Sequence, residues 1–361
     1  MNPIQLRILY IAYPLLPVSD ASAGGAEQML RVTERQMAQR GHHTMVAACE
    51  GSEVAGELLA TGDAPEQPDC FPRRNLEHTR RILKFLARCQ RTSRCSHLVH
   101  DMSGTFWPHA EGIDCPVMAT LHLPRSFYPP AMLEDIPANV CFTCVSQSQA
   151  NTFRDIPRVV GVVPNGIELK RFSPAADKQS CLLWLGRVCE EKGAHLAIQA
   201  ARKADLPLVL AGQVYPFSYH QQYFLREIAP YLNDGLPRVR LVESPGPELK
   251  ARLLSHARAV LIPSLAEETS SLVAMEAAAS GTPVIAFRRG ALPEVVRHGS
   301  TGLLVNSVEE MAEAVARVDE INPADCRKYA ERNFSATHMS DGYEEIYRRI
   351  LAMPGARQEA A

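Results

Sequence analysis

The sequence predicts an α/β fold built as two Rossmann-like, doubly wound domains, and three observations carry that expectation. Its 361 residues exceed what one hydrophobic core ordinarily organises. Short apolar runs of buried-strand type alternate with helical stretches along the whole chain. Near the middle, Val163-Pro164-Asn165-Gly166 and then Phe172-Ser173-Pro174 combine an Asn-Gly turn with two stiffening prolines, which marks a linker. The domains are therefore expected at 1–166 and 167–335.

Bulk properties exclude several classes of function. At 46% hydrophobic and 22% charged, the composition is that of a globular protein. A net charge of -2 gives no overall attraction to nucleic acid. No 18-residue apolar run is present, so no membrane span is expected. Residues 1–7 lack the basic-then-apolar pattern of an export signal, which points to a cytoplasmic, reducing setting. Cys49, Cys141 and Cys181 stand in apolar runs, where cysteine packs as a small hydrophobe. Cys141-x2-Cys144 has no second pair at zinc spacing, so no metal role is assigned to it.

Taken in order, residues 6–12 form a first strand. A loop through Ser19–Ala23 to Gly24-Gly25 leads into a helix over Ala26–Gln39, and a second strand covers Thr44–Cys49. Strand, glycine turn, helix, strand is a nucleotide-fold opening, although the glycines do not spell G-x-G-x-x-G. Residues 51–73 are polar and proline-rich and read as a long excursion. A helix over residues 75–94 follows, with Ile82, Phe85, Leu86 and Cys89 on one face and Arg81, Lys84, Arg88 and Arg91 on the other. That basic face is either a solvated surface or a contact for anionic lipid or a phosphorylated acceptor. The second reading would place the chain peripherally at the inner face of a membrane. Strands are expected at Ser96–His100, Val117–Leu121, Val140–Val145 and Arg158–Val163. His122 stands at the carboxyl end of one of them, and Ser146 caps the helix after the next.

The second half opens with a buried strand, Cys181–Leu185, then Gly186-Arg187 and Glu190-Glu191-Lys192-Gly193 before a helix over Ala194–Ala204. Further strands are expected at Pro207–Gly212, Val239–Val242 and Ala259–Ile262, with an aromatic-rich insertion over Tyr215–Asp234 and a helix over Glu248–Ala257. Pro263 stops the third of these strands. Two carboxylates and Thr269-Ser270-Ser271 follow, with a helix over Ser271–Ser280 that Gly281 closes. Helices at 308–319, 324–332 and 336–351 complete the chain, and the tail from Gly355 is expected to fray.

The stretch from Pro263 to Ala286 carries the chemistry. A loop at the carboxyl end of a parallel strand, feeding a helix N-terminus, is where open α/β sheets take phosphorylated ligands. Glu268 and Glu276 lie eight residues apart, roughly 11 Å along a helix axis and within about 80° around it. They are too far apart to share one proton or metal, but they can hold hydroxyls at two ends of one long ligand. Arg187 and Lys192 bracket the loop at another strand's carboxyl end, either as two surface cations or as fixed charges suited to a leaving group that gains negative charge.

This stretch resembles the Glu-x7-Glu signature of retaining glycosyltransferases of the GT-B fold, glycosyltransferase family 4 (glycosyl transferases group 1) in particular. The likeness covers nearly the whole chain and is strongest from Val163 to Val305. It implies two Rossmann-like domains facing across a cleft, with helix 336–352 crossing back onto the first. It also implies that Glu268 contacts the transferred sugar and that Ser270-Ser271-Leu272 hold the diphosphate together with Gly186, Arg187 and Lys192. Glu276 would bind the ribose, and Val242 would lie near the base. Gly24 and Gly25 would approach the donor phosphate or acceptor, and His122 would face the donor sugar.

The chain has no Asp-x-Asp, so the resemblance implies neither metal nor cofactor, only a nucleotide-diphosphate sugar as co-substrate. The implied reaction is hexosyl transfer with retention to a glycan, lipid or small-molecule acceptor, by same-face attack with the departing phosphate as base. The rivals are an epimerase or phosphorylase of the same architecture and a non-catalytic sugar-nucleotide-binding homologue. The one departure is Thr269-Ser270-Ser271 where the family has a glycine-containing run, which restricts φ in that loop.

Overall fold

The computed structural model describes residues 5–20, 22, 24–64, 71–91, 96–232 and 238–353. They fall into two compact units, Met1–Gly166 with Ala336–Ala361, and Ile167–Ser335. The expected tail from Gly355 lies outside the described residues.

The first unit runs β1 (Arg7–Ile11), α1 (Gly25–Gln39), β2 (His43–Ala48), β3 (Glu57–Ala60), α2 (Phe71–Gln90), β4 (Leu98–Asp101), β5 (Val117–Leu121), α3 (Pro130–Glu134), β6 (Val140–Cys144), α4 (Gln147–Thr152) and β7 (Val159–Val162). Its seven strands are ordered β3-β2-β1-β4-β5-β6-β7, and every pair is parallel. β4, β5 and β6 are buried at every position, which is why they read as unbroken apolar runs rather than alternating ones.

The second unit runs β8 (Leu182–Leu185), α5 (Ala194–Lys203), β9 (Leu208–Gly212), α6 (Ser218–Tyr223), β10 (Val239–Glu243), α7 (Pro247–His256), β11 (Ala259–Ile262), α8 (Leu272–Ala279), β12 (Val284–Phe287), α9 (Leu292–Val295), β13 (Gly302–Val305), α10 (Val308–Val315) and α11 (Pro323–Asn333). Its six strands are ordered β10-β9-β8-β11-β12-β13, again all parallel. The order reverses between β8 and β11, which makes their carboxyl ends the topological switch point. Helix α8 reads Leu-Val-Ala-Met-Glu-Ala-Ala-Ala and is buried from Ala274 to Ala279. An all-round apolar helix belongs inside, and it carries one carboxylate, Glu276, in with it.

The last helix, α12 (Ala336–Ala352), returns to the first unit. Met339, Ser340, Tyr343, Ile346, Tyr347 and Ile350 form its buried face, at the spacing of one helical stripe. Part of that face is polar. His100, fully buried in β4, bonds through Nδ1 to Tyr347 Oη at 2.7 Å and through Nε2 to Thr120 Oγ1 at 2.7 Å. Tyr10 Oη meets Tyr347 Oη at 3.3 Å, and Thr120 Oγ1 bonds Thr143 Oγ1 at 2.9 Å. Burial holds the His100 imidazole well below its usual range, so the ring is neutral. Midway along the helix, Arg40 Nη1 and Arg348 Nη2 bond opposite oxygens of Glu344 at 2.8 and 2.6 Å.

Two sequence expectations change. The polar excursion at 51–73 contains an edge strand, β3. Its residues are mostly exposed, so hydrophobic alternation gives no signal there. What aligns it is the buried Glu34 carboxylate of α1, which accepts from Thr44 Oγ1 at 2.6 Å, Ala55 N at 3.0 Å and Gly56 N at 2.8 Å. Gly56 is required by this close approach, because a Cβ there would stand 2.2 Å from the Thr44 carbonyl oxygen. The basic helix begins at Phe71 rather than Asn75. Ile82 and Leu86 pack inward as expected, while Arg81, Lys84, Arg88 and Arg91 are exposed.

Tyr347→Phe removes the hydroxyl shared by His100 and Tyr10 and should lower stability by about 1–3 kcal/mol, read from urea unfolding midpoints. A second test is pH. Burial pushes the Glu344 carboxyl up, but hydrogen bonds from Arg348 and Arg40 outweigh it and hold the group at about 2. A lowered folded-state pKa stabilises above the unfolded value of about 4.3 and ceases to do so as pH falls toward 2. The stability gap between wild type and Glu344→Gln should therefore shrink over that window, and a constant gap would refute the assignment.

Candidate functional site

The loops after β8 and β11 meet at the switch point of the second unit. The first continues the sheet for a few residues, with Gly186 N donating to Ala211 O at 3.1 Å and Val188 N to Gln213 O at 3.0 Å. It then makes a single 3₁₀ turn over Glu190–Lys192 and enters α5 through Gly193. That glycine has φ +68°, and a Cβ on it would lie 2.1 Å from the Pro263 carbonyl oxygen, so the residue type is set by contact with the second loop. The Glu191 carbonyl accepts from Leu265 N at 2.8 Å and Ser264 Oγ at 3.2 Å. Trp184 Nε1 donates to Lys192 O at 3.1 Å. Behind Glu268, Ala291 N donates to its carbonyl at 2.7 Å and Gly290 N donates to Glu267 Oε2 at 2.8 Å.

This framework brings together two of the expected site residues. Lys192 Nζ stands 2.6 Å from Glu268 Oε1, and the buried Ser264 donates its hydroxyl to the same oxygen at 2.7 Å. The Glu268 side chain is 10% exposed and that of Lys192 is 29% exposed, so the pair is partly desolvated and still open to solution. Glu276, about one turn into α8, is paired separately, 2.6 Å from Lys250 Nζ of α7. Lys250 also lies 5.7 Å from the Phe172 ring centroid, a cation–π contact. Arg187 sits at the exposed end of the first loop, 3.8 Å from Glu191. Ser271 caps α8, its hydroxyl accepting from Ala274 N at 3.4 Å. Ser270 Oγ is buried without a hydrogen-bond partner among the described residues. Leu272 is the first residue of α8, and Val242 lies near the carboxyl end of edge strand β10.

Three expected residues belong to the first unit. Gly24 caps α1 and Gly25 is its first residue. The Glu27 carboxylate folds back over Gly24, with Oε2 1.9 Å from where a Cβ would be, and burial raises its pKa. His122 follows β5, and burial pushes its imidazole down to about 4. Cys141 and Cys144 lie buried in β6, with thiols raised by burial to about 12, in keeping with a packing role. The eight described cysteines are all free thiols.

Sequence reasoning did not single out Lys250 or Ser264. Each is an ordinary residue in its own neighbourhood. Their roles come from carboxylates that the fold delivers to them, across 26 residues for Lys250 and through the turn of the β11 loop for Ser264. The buried carboxylate in the apolar α8 was the available signal, because such a group demands a partner.

Residues 23–171 match the model of Glycosyltransferase Family 4, and residues 179–320 match that of Glycosyl transferases group 1. Among relatives, the D-inositol 3-phosphate glycosyltransferase of Corynebacterium urealyticum is 30% identical over 224 residues, covering 54% of this chain and 52% of that protein. The putative glycosyltransferase YtcC of Bacillus subtilis is 24% identical over 241 residues, covering 57% of this chain and 58% of that protein. The chain thus spans about half the length of the curated relatives it matches. Among solved structures, AviGT4, a glycosyltransferase involved in avilamycin A biosynthesis, superposes with a TM-score of 0.69 at 24% identity, over 97% of this chain and 99% of that one. HepE of Anabaena in complex with UDP and glucose gives 0.72 at 16% identity, over 96% and 100%. These likenesses fix the architecture as GT-B. With the two family models together spanning most of its length, the chain belongs to glycosyltransferase family 4, the glycosyl transferases group 1.

Proposed function

We propose that this chain transfers a sugar from a nucleotide-diphosphate sugar to an acceptor with retention, and that its second unit holds the donor. The observation that carries the reading is the Lys192–Glu268 pair at the switch point, with Ser264 on the same carboxylate oxygen. In this reading Glu268 accepts hydroxyls of the transferred sugar. Lys192 and Arg187 neutralise the diphosphate as the glycosidic bond breaks, which favours the transition state over the ground state. Charge on the leaving group is met by side chains rather than by a metal ion. Glu276 takes the ribose hydroxyls, and its pairing with Lys250 orients the carboxylate.

The unpartnered Ser270 hydroxyl supports the same placement, since a phosphate oxygen beside the α8 N-terminus would accept its proton. HepE in complex with UDP-glucose shares the fold, which supports a nucleotide-sugar donor here. The first unit then serves the acceptor; Gly24 and Gly25 stand at the start of α1 and His122 follows β5. His122 acts there as a neutral hydrogen-bonding group, because its lowered pKa keeps it uncharged at physiological pH. The exposed basic face of α2 offers a surface for an anionic membrane or acceptor.

A thermal-shift screen with UDP, GDP, ADP and TDP should show stabilisation by one nucleotide well above the others. With that donor, Lys192→Ala should lower kcat about 10²–10³-fold, the size of losing one oxyanion-stabilising donor. Glu276→Ala should raise donor KM by about tenfold or more with a smaller effect on kcat. Full turnover by the Lys192 variant would overturn the assignment. Charge reversal at Arg81, Arg88 and Arg91 should reduce co-sedimentation with anionic vesicles, and unchanged sedimentation would remove the membrane role of α2.

A further inference from the structure

We infer that Cys189, Glu191 and His220 form a binding site for a divalent cation of the zinc type. The three come from the loop after β8 and from helix α6, and one ligand atom from each lies within 4.8 Å of the others. Cys189 is fully buried and His220 is 1% exposed. Both ring nitrogens of His220 are buried without a hydrogen-bond partner among the described residues. A neutral imidazole carries one donor and one acceptor, and burying both unmet is costly unless something else occupies the space beside them. Tyr219 and Phe217 pack edge-on against the ring, with centroids 4.3 and 5.3 Å away, and hold it in place.

The ligand set selects the ion. One thiolate, one imidazole and one carboxylate suit zinc, whereas calcium and magnesium take oxygen ligands. Ligand atoms around a tetrahedral zinc stand about 3.3–3.7 Å apart, given bonds of about 2.0–2.3 Å. Closing the site therefore asks for a modest movement, and Glu191 can supply it. Its side chain is 42% exposed, and it is held now by Arg187, 3.8 Å away, and by a hydrogen bond with the Cys189 thiol. Cys189 Sγ now donates to the Arg187 carbonyl at 3.5 Å. On binding, the thiol loses its proton to solvent and the thiolate takes the metal. A water completes the fourth position.

The consequence reaches the rest of the loop after β8. The ion ties the turn that carries Lys192 to the aromatic insertion after β9. By drawing Glu191 away, it also frees the Arg187 guanidinium. The site rests on its own residues and stands or falls independently of the donor assignment.

Equilibrium dialysis of the whole chain against zinc should show about one equivalent bound, lost in Cys189→Ser and in His220→Ala. Cobalt substitution of the wild-type chain should give a thiolate-to-cobalt charge-transfer band in the near ultraviolet together with the intense visible absorption of four-coordinate cobalt. The charge-transfer band should vanish in Cys189→Ser. Wild-type protein that binds no zinc, or a cobalt form without the thiolate band, would overturn the proposal even if neither variant folds. So would stoichiometric zinc binding that survives in both folded variants, because it would lie elsewhere among the remaining cysteines and histidines.

Discussion

The second unit is organised around one ion pair that its own sheet topology makes available. Lys192 and Glu268 are 76 residues apart, and they touch because the strand order reverses between β8 and β11. Two loops leaving adjacent parallel strands must then share one edge of the sheet. Their separation is set by uncharged hydrogen bonds before any charge is considered, through the Glu191 carbonyl on one side and Leu265 N and Ser264 Oγ on the other. Only once that spacing is set can a 2.6 Å pair form without ordering two long side chains at its own entropic cost. Gly193 and Gly290 belong to the same constraint. Each lies at positive φ with a neighbouring loop's backbone where its Cβ would be, so the loops pack as closely as main chain permits.

The buried carboxylates of the two units solve similar problems by different means. Glu276 enters the interior on an apolar helix and is balanced by a lysine from the preceding helix. Glu34 is balanced by two backbone N–H groups and a hydroxyl, and in return it aligns an edge strand. In the first case the charge stands near the proposed ligand site, where a carboxylate that can change partners is useful. In the second it is consumed by the fold. The chemistry of the side chain is the same, and its surroundings assign the role.

Much of this was legible in the sequence. Buried parallel strands announce themselves as short apolar runs, and Val117–Leu121 and Ala259–Ile262 were read to the residue. The loop motifs around Arg187, Lys192, Glu268 and Glu276 were legible because cations and carboxylates stand out at strand ends. Less visible were features whose cause lies elsewhere in the chain. β3 is an exposed edge strand defined by Glu34 and Gly56, not by its own alternation. Lys250 and Ser264 acquire meaning only when Glu276 and Glu268 arrive beside them. His220 is one histidine in an aromatic insertion until the fold sets it next to Cys189 and Glu191.

The first unit is written in two pieces, with all of 167–335 between them. During synthesis its seven-stranded sheet leaves the ribosome long before α12, and so before Tyr343 and Tyr347 exist to cover His100 and Thr120. The intervening unit, continuous in sequence, has no such dependence and can close first. The amino-terminal sheet is therefore complete only once α12, which supplies the hydroxyls over His100 and Thr120, has been translated. Order of completion on the nascent chain is thus the reverse of order of appearance.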